Sequence, residues 1–128
     1  MATRAPLEIG EWYHCYSRGV DKRAVFASRQ DYERFLQLMY VSNGTNPVHL
    51  SNLKTKSLDD TIQIGNLERG DALVEVGAYS LMRNHTHFIL RQERLDGIAR
   101  YMQKIFTGYT MYYNKKHERT GALFSGTF

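Results

Sequence analysis

Hydrophobic and polar positions predict two elements in the first third of the chain. The aromatic-rich segment "EWYHCYSRGV" predicts a β-strand over Trp12–Ser17, and the turn-prone "RGVDKR" ends it. A helix is predicted next, because Ser28 is a suitable N-cap with Asp31 three residues on, and apolar side chains then recur at helical spacing. Asn43-Gly44 is typical of a helix end.

The middle of the chain combines a polar stretch with a hairpin. Residues 45–70 are polar without a sustained period, which predicts a long loop or insertion with at most one short strand. The apolar segment "ALVEVGAYSLM", residues 72–82, predicts a central strand. "RN" can form a tight turn, and "HTHFILRQ", residues 85–92, predicts the antiparallel return strand.

A second helix is predicted from about Leu95 to Lys116. Gly108 weakens it at mid-course, and Tyr113 falls outside its apolar stripe and is less constrained. "RTGALFSGTF" then resembles a turn into a last strand. The apolar stripe consists of Ile98, Tyr101, Met102, Ile105, Tyr109 and Tyr112.

The order of elements is β-α-β-β-α-β, which is the split ferredoxin-like pattern. It predicts an α+β domain in which two helices cover one face of an antiparallel sheet. We expect one domain over residues 1–128, with 45–70 as its loop or insertion. No apolar run is long enough to span a membrane or to act as a signal peptide, so a cytoplasmic protein is expected. The single cysteine, Cys15, is expected in the core, and it excludes a disulfide framework and a multi-cysteine zinc site.

Charge is distributed unevenly along the chain. Residues 83–128 contain eight basic and three acidic side chains, whereas residues 1–82 contain nine basic and ten acidic ones. A basic half indicates a polyanionic partner, although a solvated basic surface has the same composition.

Two histidines lie one residue apart in the return strand. Because side chains alternate across a strand, His85 and His87 should share one face, with Thr86 and Phe88 on the other. Two neutral imidazoles on one rigid strand can chelate a metal ion, but ordinary hydrogen-bonded histidines fit the same pattern. A metal beside a basic helix indicates phosphodiester chemistry, in which the ion polarises a phosphoryl oxygen.

The segments "LMRNHTHF" and "SRGVDKRAVF" resemble the single-tyrosine HUH transposases, in the branch that includes the REP-associated tyrosine transposases. The family reads Leu-Met-x-Asn-His-x-His, and Thr86 takes a middle position that is usually apolar. The second segment is similar to the family's strand, Arg-Gly turn and entry into the first helix. The resemblance covers most of the chain outside residues 45–70.

The resemblance implies a strand transferase of single-stranded or hairpin DNA. Mg²⁺ or Mn²⁺ would bind His85, His87 and one further polar ligand, and a tyrosine would form a 5′-phosphotyrosine link that leaves a free 3′-hydroxyl. A free tyrosine has a pKa of about 10 and is a weak nucleophile at neutral pH, so a metal that withdraws charge from the phosphate would assist it.

The family's catalytic tyrosine lies on a helix after the strand that matches "GALFSGTF", commonly in a Tyr-Ile-x-x-Asn-Pro setting. No such segment follows here, so we expect a fragment, a truncated form or a decayed copy of such a transposase. The third metal ligand is often on that same helix. Tyr113 is the fallback nucleophile in this chain, and binding of DNA without a covalent adduct is expected.

Several other residues are assigned to DNA. Arg18, Lys22 and Arg23 flank the Gly19 turn and can bind phosphates, although a solvated turn is equally consistent. Asn84 can bond the hairpin turn or contact DNA. Trp12 and Tyr16 can stack on bases or pack in the core. On the polar side of the second helix, the DNA assignment includes Arg100 and Lys104.

Two alternatives remain open. Ferredoxin-like sheets with exposed aromatic side chains also bind single-stranded nucleic acid without chemistry, although the RNP-type aromatic pattern is absent here. A relaxase or replication-initiator HUH nuclease would share the metal chemistry and differ in topology and substrate. A homodimer is also left open.

Overall fold

A computed structural model of the chain describes residues 6–50, 57–64 and 67–125. These ranges contain four strands and three α-helices, with a 3-10 turn at Val20–Lys22 after the first strand. In chain order they are β1 (Trp12–Gly19), α1 (Arg29–Val41), α2 (Leu58–Gln63), β2 (Val74–Met82), β3 (His85–Gln92), α3 (Gly97–His117) and β4 (Phe124–Ser125).

The four strands form one antiparallel sheet in the order β2-β3-β1-β4. In the central pair, Tyr16 lies opposite His87 and Arg18 lies opposite His85. The predicted β2–β3 hairpin is confirmed, with Arg83 and Asn84 in its turn. The predicted α+β class is confirmed as a mixed fold with a four-stranded antiparallel sheet and three helices in the described part.

Helix α1 begins and ends as its sequence predicts. The Ser28 hydroxyl accepts a hydrogen bond from the Asp31 amide, and the Asp31 carboxylate accepts one from the Ser28 amide, which together form a capping box. After the helix ends, the Asn43 side chain accepts from the Val74 amide and donates to the Val74 carbonyl. The end of α1 is thereby attached to the start of β2.

Residues 45–70 were predicted as a loop or insertion with at most one short strand, and the described part of that stretch contains the six-residue helix α2 and no strand. The Ser57 hydroxyl caps α2 by accepting from the Asp60 amide, and the buried Thr61 hydroxyl contacts the Gln37 side chain of α1. Six residues are too few to show helical periodicity, so only the tertiary contact identifies this helix. Residues 51–56 and 65–66 lie outside the described residues.

Helices α1 and α3 cover the face of the sheet to which Phe88 points. Phe35 of α1 stacks on Phe88, and Tyr109 of α3 packs edge-on against Phe35. Gly108 allows a close approach, because a Cβ there would lie 2.8 Å from a methyl group of Leu38. Within the described ranges, no helix is both long and apolar enough to cross a membrane.

One expectation for α3 is wrong. Tyr113 is not weakly constrained but buried, with 6% of its surface exposed. Its hydroxyl donates to the Ala24 carbonyl at 3.2 Å, and its ring packs on His117. The apolar side of α3 is therefore wider than the stripe, because the loop before α1 covers a second row of side chains. Cys15 is in the core as expected.

Candidate functional site

The face of the sheet opposite the helices carries the candidate site, and we call it the histidine face. Burial alternates along β1 and β3, so that Cys15, Thr86 and Phe88 are buried whereas the side chains between them are at least partly exposed. The predicted placement of both histidines on one face is therefore confirmed. The histidine face comprises Trp12, His14, Tyr16 and Arg18 of β1 and His85, His87, Ile89 and Arg91 of β3.

His85 is oriented by the residue before it. The centroids of the His85 and His87 rings are 5.0 Å apart, and the two rings are nearly perpendicular. Nδ1 of His85 lies 2.7 Å from Oδ1 of Asn84. Because an amide oxygen only accepts, this contact requires the proton on Nδ1 of a neutral His85. Nε2 of His85 then keeps its lone pair, and it is the atom that a metal ion would bind.

His87 is in contact with a third histidine, His14, which no sequence motif indicated as part of a site. Nε2 of His14 lies 3.0 Å from Nδ1 of His87, and the two rings lie edge to edge, 12° from parallel, with centroids 5.1 Å apart. Strand alternation would have placed His14 on the same face of β1 as Trp12 and Tyr16. The register between β1 and β3 was needed to bring His14 to His87, and no short sequence pattern contains that register.

The environment of His87 favours its neutral form. Partial burial lowers the pKa of His87 below its ordinary value, and the neighbouring His85 and His14 lower it further. A neutral imidazole is the form that binds a metal ion. At neutral pH, His87 is therefore a neutral imidazole with a nitrogen lone pair available to a metal ion, and not an imidazolium.

A phenol and a guanidinium lie directly beside the histidines. The ring of Tyr16 has its centroid 5.0 Å from that of His87 and 5.8 Å from that of His85. Nε of Arg18 donates to the Tyr16 hydroxyl at 2.9 Å. From the sequence, Tyr16 was expected to stack on bases or to pack in the core, and the structure places it among the polar groups of the candidate site.

The Gly19 turn adjoins the same end of the histidine face. Asn84 bonds this turn, because its carbonyl accepts from the Gly19 amide at 2.8 Å and its side-chain amide donates to the Lys22 carbonyl at 3.5 Å. The side chains of Lys22 and Arg23 are exposed. Arg18, Asn84 and the basic turn are thus brought together next to the histidines.

The two basic residues assigned on α3 lie elsewhere. Nζ of Lys104 donates to the carbonyls of Gly44 and Asn46, at 2.5 and 3.2 Å, and so ties α3 to the loop after α1. Arg100 is exposed on the same helix. Since α3 packs on the Phe88 face of the sheet, neither residue joins the histidine face. Their contact with DNA remains a prediction.

The tyrosines of α3 are engaged in the helix layer. Tyr109 donates to the Val25 carbonyl, Tyr112 donates to Asp31, and Tyr113 donates to Ala24. Burial raises the pKa of Tyr109 and of Tyr112, and the nearby Asp31 carboxylate raises both further. A phenol that is held in this way is a poor nucleophile, so these contacts give no support to the fallback assignment of Tyr113.

The side chains of the candidate site can supply part of the ligand set of a divalent ion. His85 and His87 offer two imidazole nitrogens, and an ion such as Mg²⁺ commonly completes its coordination with water and substrate phosphate oxygens. Across residues 6–50, 57–64 and 67–125, no group of three or more His, Cys, Asp or Glu side chains is arranged to hold a metal ion. In comparisons with known proteins, the chain matches no family model, no curated protein and no solved structure.

Proposed function

We propose that this chain is the core of a metal-dependent HUH transposase that acts on single-stranded or hairpin DNA. The observation that carries the proposal is the pairing of two oriented imidazoles with a phenol and an arginine on one open sheet face. The strand order β2-β3-β1-β4, with antiparallel pairing and helices α1 and α3 on the Phe88 face, supports a ferredoxin-like assignment as part of the same proposal.

The two histidines and the basic residues near them have separate roles in this proposal. His85 and His87 would hold Mg²⁺ or Mn²⁺, which when bound polarises a phosphoryl oxygen of the DNA. The Arg18 guanidinium donates to the Tyr16 hydroxyl, and the Tyr16 ring lies beside His87. Arg18 is therefore close enough to the histidines to neutralise the same phosphate in this proposal. Lys22 and Arg23 would hold phosphates further along the strand.

The proposed reaction transfers a phosphoryl group from the DNA to a tyrosine. The phenolic oxygen forms a bond to phosphorus while the bond from phosphorus to the 3′-oxygen breaks. The phenol loses its proton, and the released 3′-oxygen gains one. The resemblance places the nucleophile on a helix after β4, and the contacts of Tyr109, Tyr112 and Tyr113 fit that placement because their hydroxyls are already engaged.

An adduct assay tests this location of the nucleophile. The 128-residue chain is incubated with a labelled single strand and Mn²⁺, and a denaturation-resistant protein–DNA band is sought. We expect no band from wild type. A band that is lost in Tyr113→Phe would contradict our placement, and a band lost only in Tyr16→Phe would assign the nucleophile to β1.

Metal binding is the decisive test of the proposed function. Calorimetry should show Mn²⁺ binding to wild type and its loss in the His85→Ala, His87→Ala double variant. His49→Ala is the matched control, because His49 is exposed and outside the histidine face. Equal binding by the double variant and wild type would show that the site assignment is wrong.

A second candidate function is non-catalytic binding of single-stranded nucleic acid on the same face. The observation that favours it is Trp12, whose indole is 47% exposed and lies over the backbone of Gly77. Binding that is indifferent to Mn²⁺ and unaffected by loss of both histidines would support this function over the transposase. A relaxase or replication-initiator nuclease would share the metal site and is distinguished by substrate.

A further inference from the structure

We infer that His14 is a positioning residue that accepts the Nδ1 proton of His87 and thereby fixes the nitrogen that His87 presents to a metal ion. The inference rests on the proposed function, because it concerns the same metal site. It adds a residue that neither strand alternation within β3 nor the resemblance assigns. The 3.0 Å contact between His14 Nε2 and His87 Nδ1 is its basis.

Two proton arrangements satisfy this contact between neutral rings, and only one of them leaves His87 able to bind a metal ion. If His87 donates from Nδ1, its Nε2 keeps a lone pair and can bind a metal ion. If His14 donates from Nε2, the proton of His87 must reside on Nε2, which then cannot bind a metal. The direction of this one hydrogen bond therefore decides whether His87 can be a ligand.

The proposed metal site selects one of the two directions. Asn84 Oδ1 can only accept, so His85 carries its proton on Nδ1 and presents Nε2. For the two histidines to act together, His87 must present Nε2 as well, and His14 Nε2 is the acceptor of its Nδ1 proton. Metal-binding histidines almost always donate their second ring N–H to an acceptor, which fixes tautomer and ring orientation.

The surroundings of His14 are compatible with the acceptor role. Its side chain is exposed, so water can accept the proton that then resides on Nδ1 of His14. The His14 and His87 rings are 12° from parallel and meet edge to edge, so the bulk of the His14 ring also limits rotation of His87. The hydrogen bond and the bulk of the ring are thus two separable contributions from His14, and substitutions can distinguish them.

The first experiment needs no substitution and no metal. Long-range ¹H–¹⁵N spectra of the metal-free, ¹⁵N-labelled 128-residue chain, recorded above pH 7, report which nitrogen of each histidine carries the proton. We expect protonated Nδ1 and unprotonated Nε2 for both His85 and His87. A proton on Nε2 of His87 in wild type would overturn the inference, whether or not the chain binds metal.

The second experiment separates hydrogen bonding from the bulk of the ring. His14→Phe keeps an aromatic ring and removes the acceptor, whereas His14→Gln removes the ring and supplies an amide oxygen. Loss of an orienting partner typically weakens metal binding by about 10–100-fold, so we expect that loss of Mn²⁺ affinity in His14→Phe. We expect recovery of most of the affinity, and of the Nδ1-protonated form of His87, in His14→Gln.

The outcomes distinguish the inference from the proposed function. Unchanged Mn²⁺ affinity and tautomer in His14→Phe would overturn the positioning role, and so would a failure of His14→Gln to restore either of them. If wild type has the expected tautomers but binds no Mn²⁺, the proposed function fails while the hydrogen-bond direction stands. Circular dichroism and thermal unfolding of each variant confirm that the comparison is made between folded chains.

Discussion

The ammonium of Lys116, in the last turn of α3, lies 2.7 Å from Oδ1 of Asp31, in the first turn of α1. The Tyr112 hydroxyl donates to the same oxygen at 2.7 Å, and the Ala27 amide donates to Oδ2 at 2.8 Å. Asp31 is fully buried. This carboxylate therefore joins both long helices beneath the sheet, on the side away from the histidine face.

Replacement of Asp31 by Ala should destabilise the fold by roughly 1–3 kcal/mol, because the Tyr112 hydroxyl and the Ala27 amide lose the buried carboxylate that accepts from them. The capping box of α1 is lost as well. Asp59→Ala is the matched control, since Asp59 is an exposed carboxylate in the first turn of α2, and it should change the free energy of unfolding by less than about 0.5 kcal/mol. Urea denaturation measures both, and similar losses would contradict the role of Asp31.

Stability should also depend on pH through Asp31. Burial alone would raise the pKa of Asp31, but hydrogen bonds from Lys116, Tyr112 and the Ala27 amide hold it below its ordinary value. The folded-state pKa is thus lower than the unfolded one of about 3.9, so this contribution is present above that pH and is lost as pH falls through the folded-state pKa. Asp31→Asn should flatten the decline in unfolding free energy on acidification. An unchanged slope would assign the acid sensitivity to other carboxylates.

Two buried hydroxyls on the helix side of the sheet have no hydrogen-bond partner among the described residues. They belong to Ser17 and Thr86, which lie opposite each other on β1 and β3. An unpaired buried hydroxyl costs roughly 1–3 kcal/mol, so Thr86→Val should stabilise the fold by about 1 kcal/mol. Thr61→Val should do the reverse, because that hydroxyl donates to the Ser57 carbonyl at 3.0 Å. Loss of stability in Thr86→Val would show that its hydroxyl is satisfied.

DNA binding through the histidine face should be sensitive to salt, because each neutralised phosphate releases counterions. For single strands the slope of log affinity against log salt changes by about 0.7 per phosphate contact. Arg18→Ala should therefore flatten the slope by about that amount. Arg100→Ala provides the comparison from the helix layer and tests its own assignment to DNA. If only Arg100→Ala changes the slope, the DNA lies on α3 and our placement is wrong.

Trp12 should act as a stacking platform for a base. Its ring lies so close to Gly77 that a Cβ there would be 2.6 Å from the indole. Stacking contributes about 1–3 kcal/mol per base, so Trp12→Ala should weaken single-strand binding by roughly tenfold or more. Tyr79→Ala is a matched control, since Tyr79 is 51% exposed but pairs with Phe88 and so points to the helix side. Tryptophan fluorescence should be quenched by DNA in wild type, and equal affinities for the two variants would exclude the platform.

Local sequence signals were sufficient to predict structural features that depend on residues only a few positions apart. Ser28 and Asp31 predicted the start of α1, and the alternation around Thr86 predicted which side chains of β3 share a face. A strand has a period of two and a cap uses neighbours three residues apart, so neither needs the rest of the chain. Helix α2 lacked such a signal because it is only six residues long.

Tertiary structure decided every relationship that joins distant parts of the chain. His14 and His87 are 73 residues apart, and only the register between β1 and β3 brings their nitrogens to 3.0 Å. Tyr113 was excluded from the predicted core for the same reason, since its partner Ala24 lies 89 residues away. Sequence by itself determined the strands, the two long helices and the shared face of His85 and His87. Strand register and helix packing determined the site around them, because pairing free energy depends on contacts that no local pattern encodes.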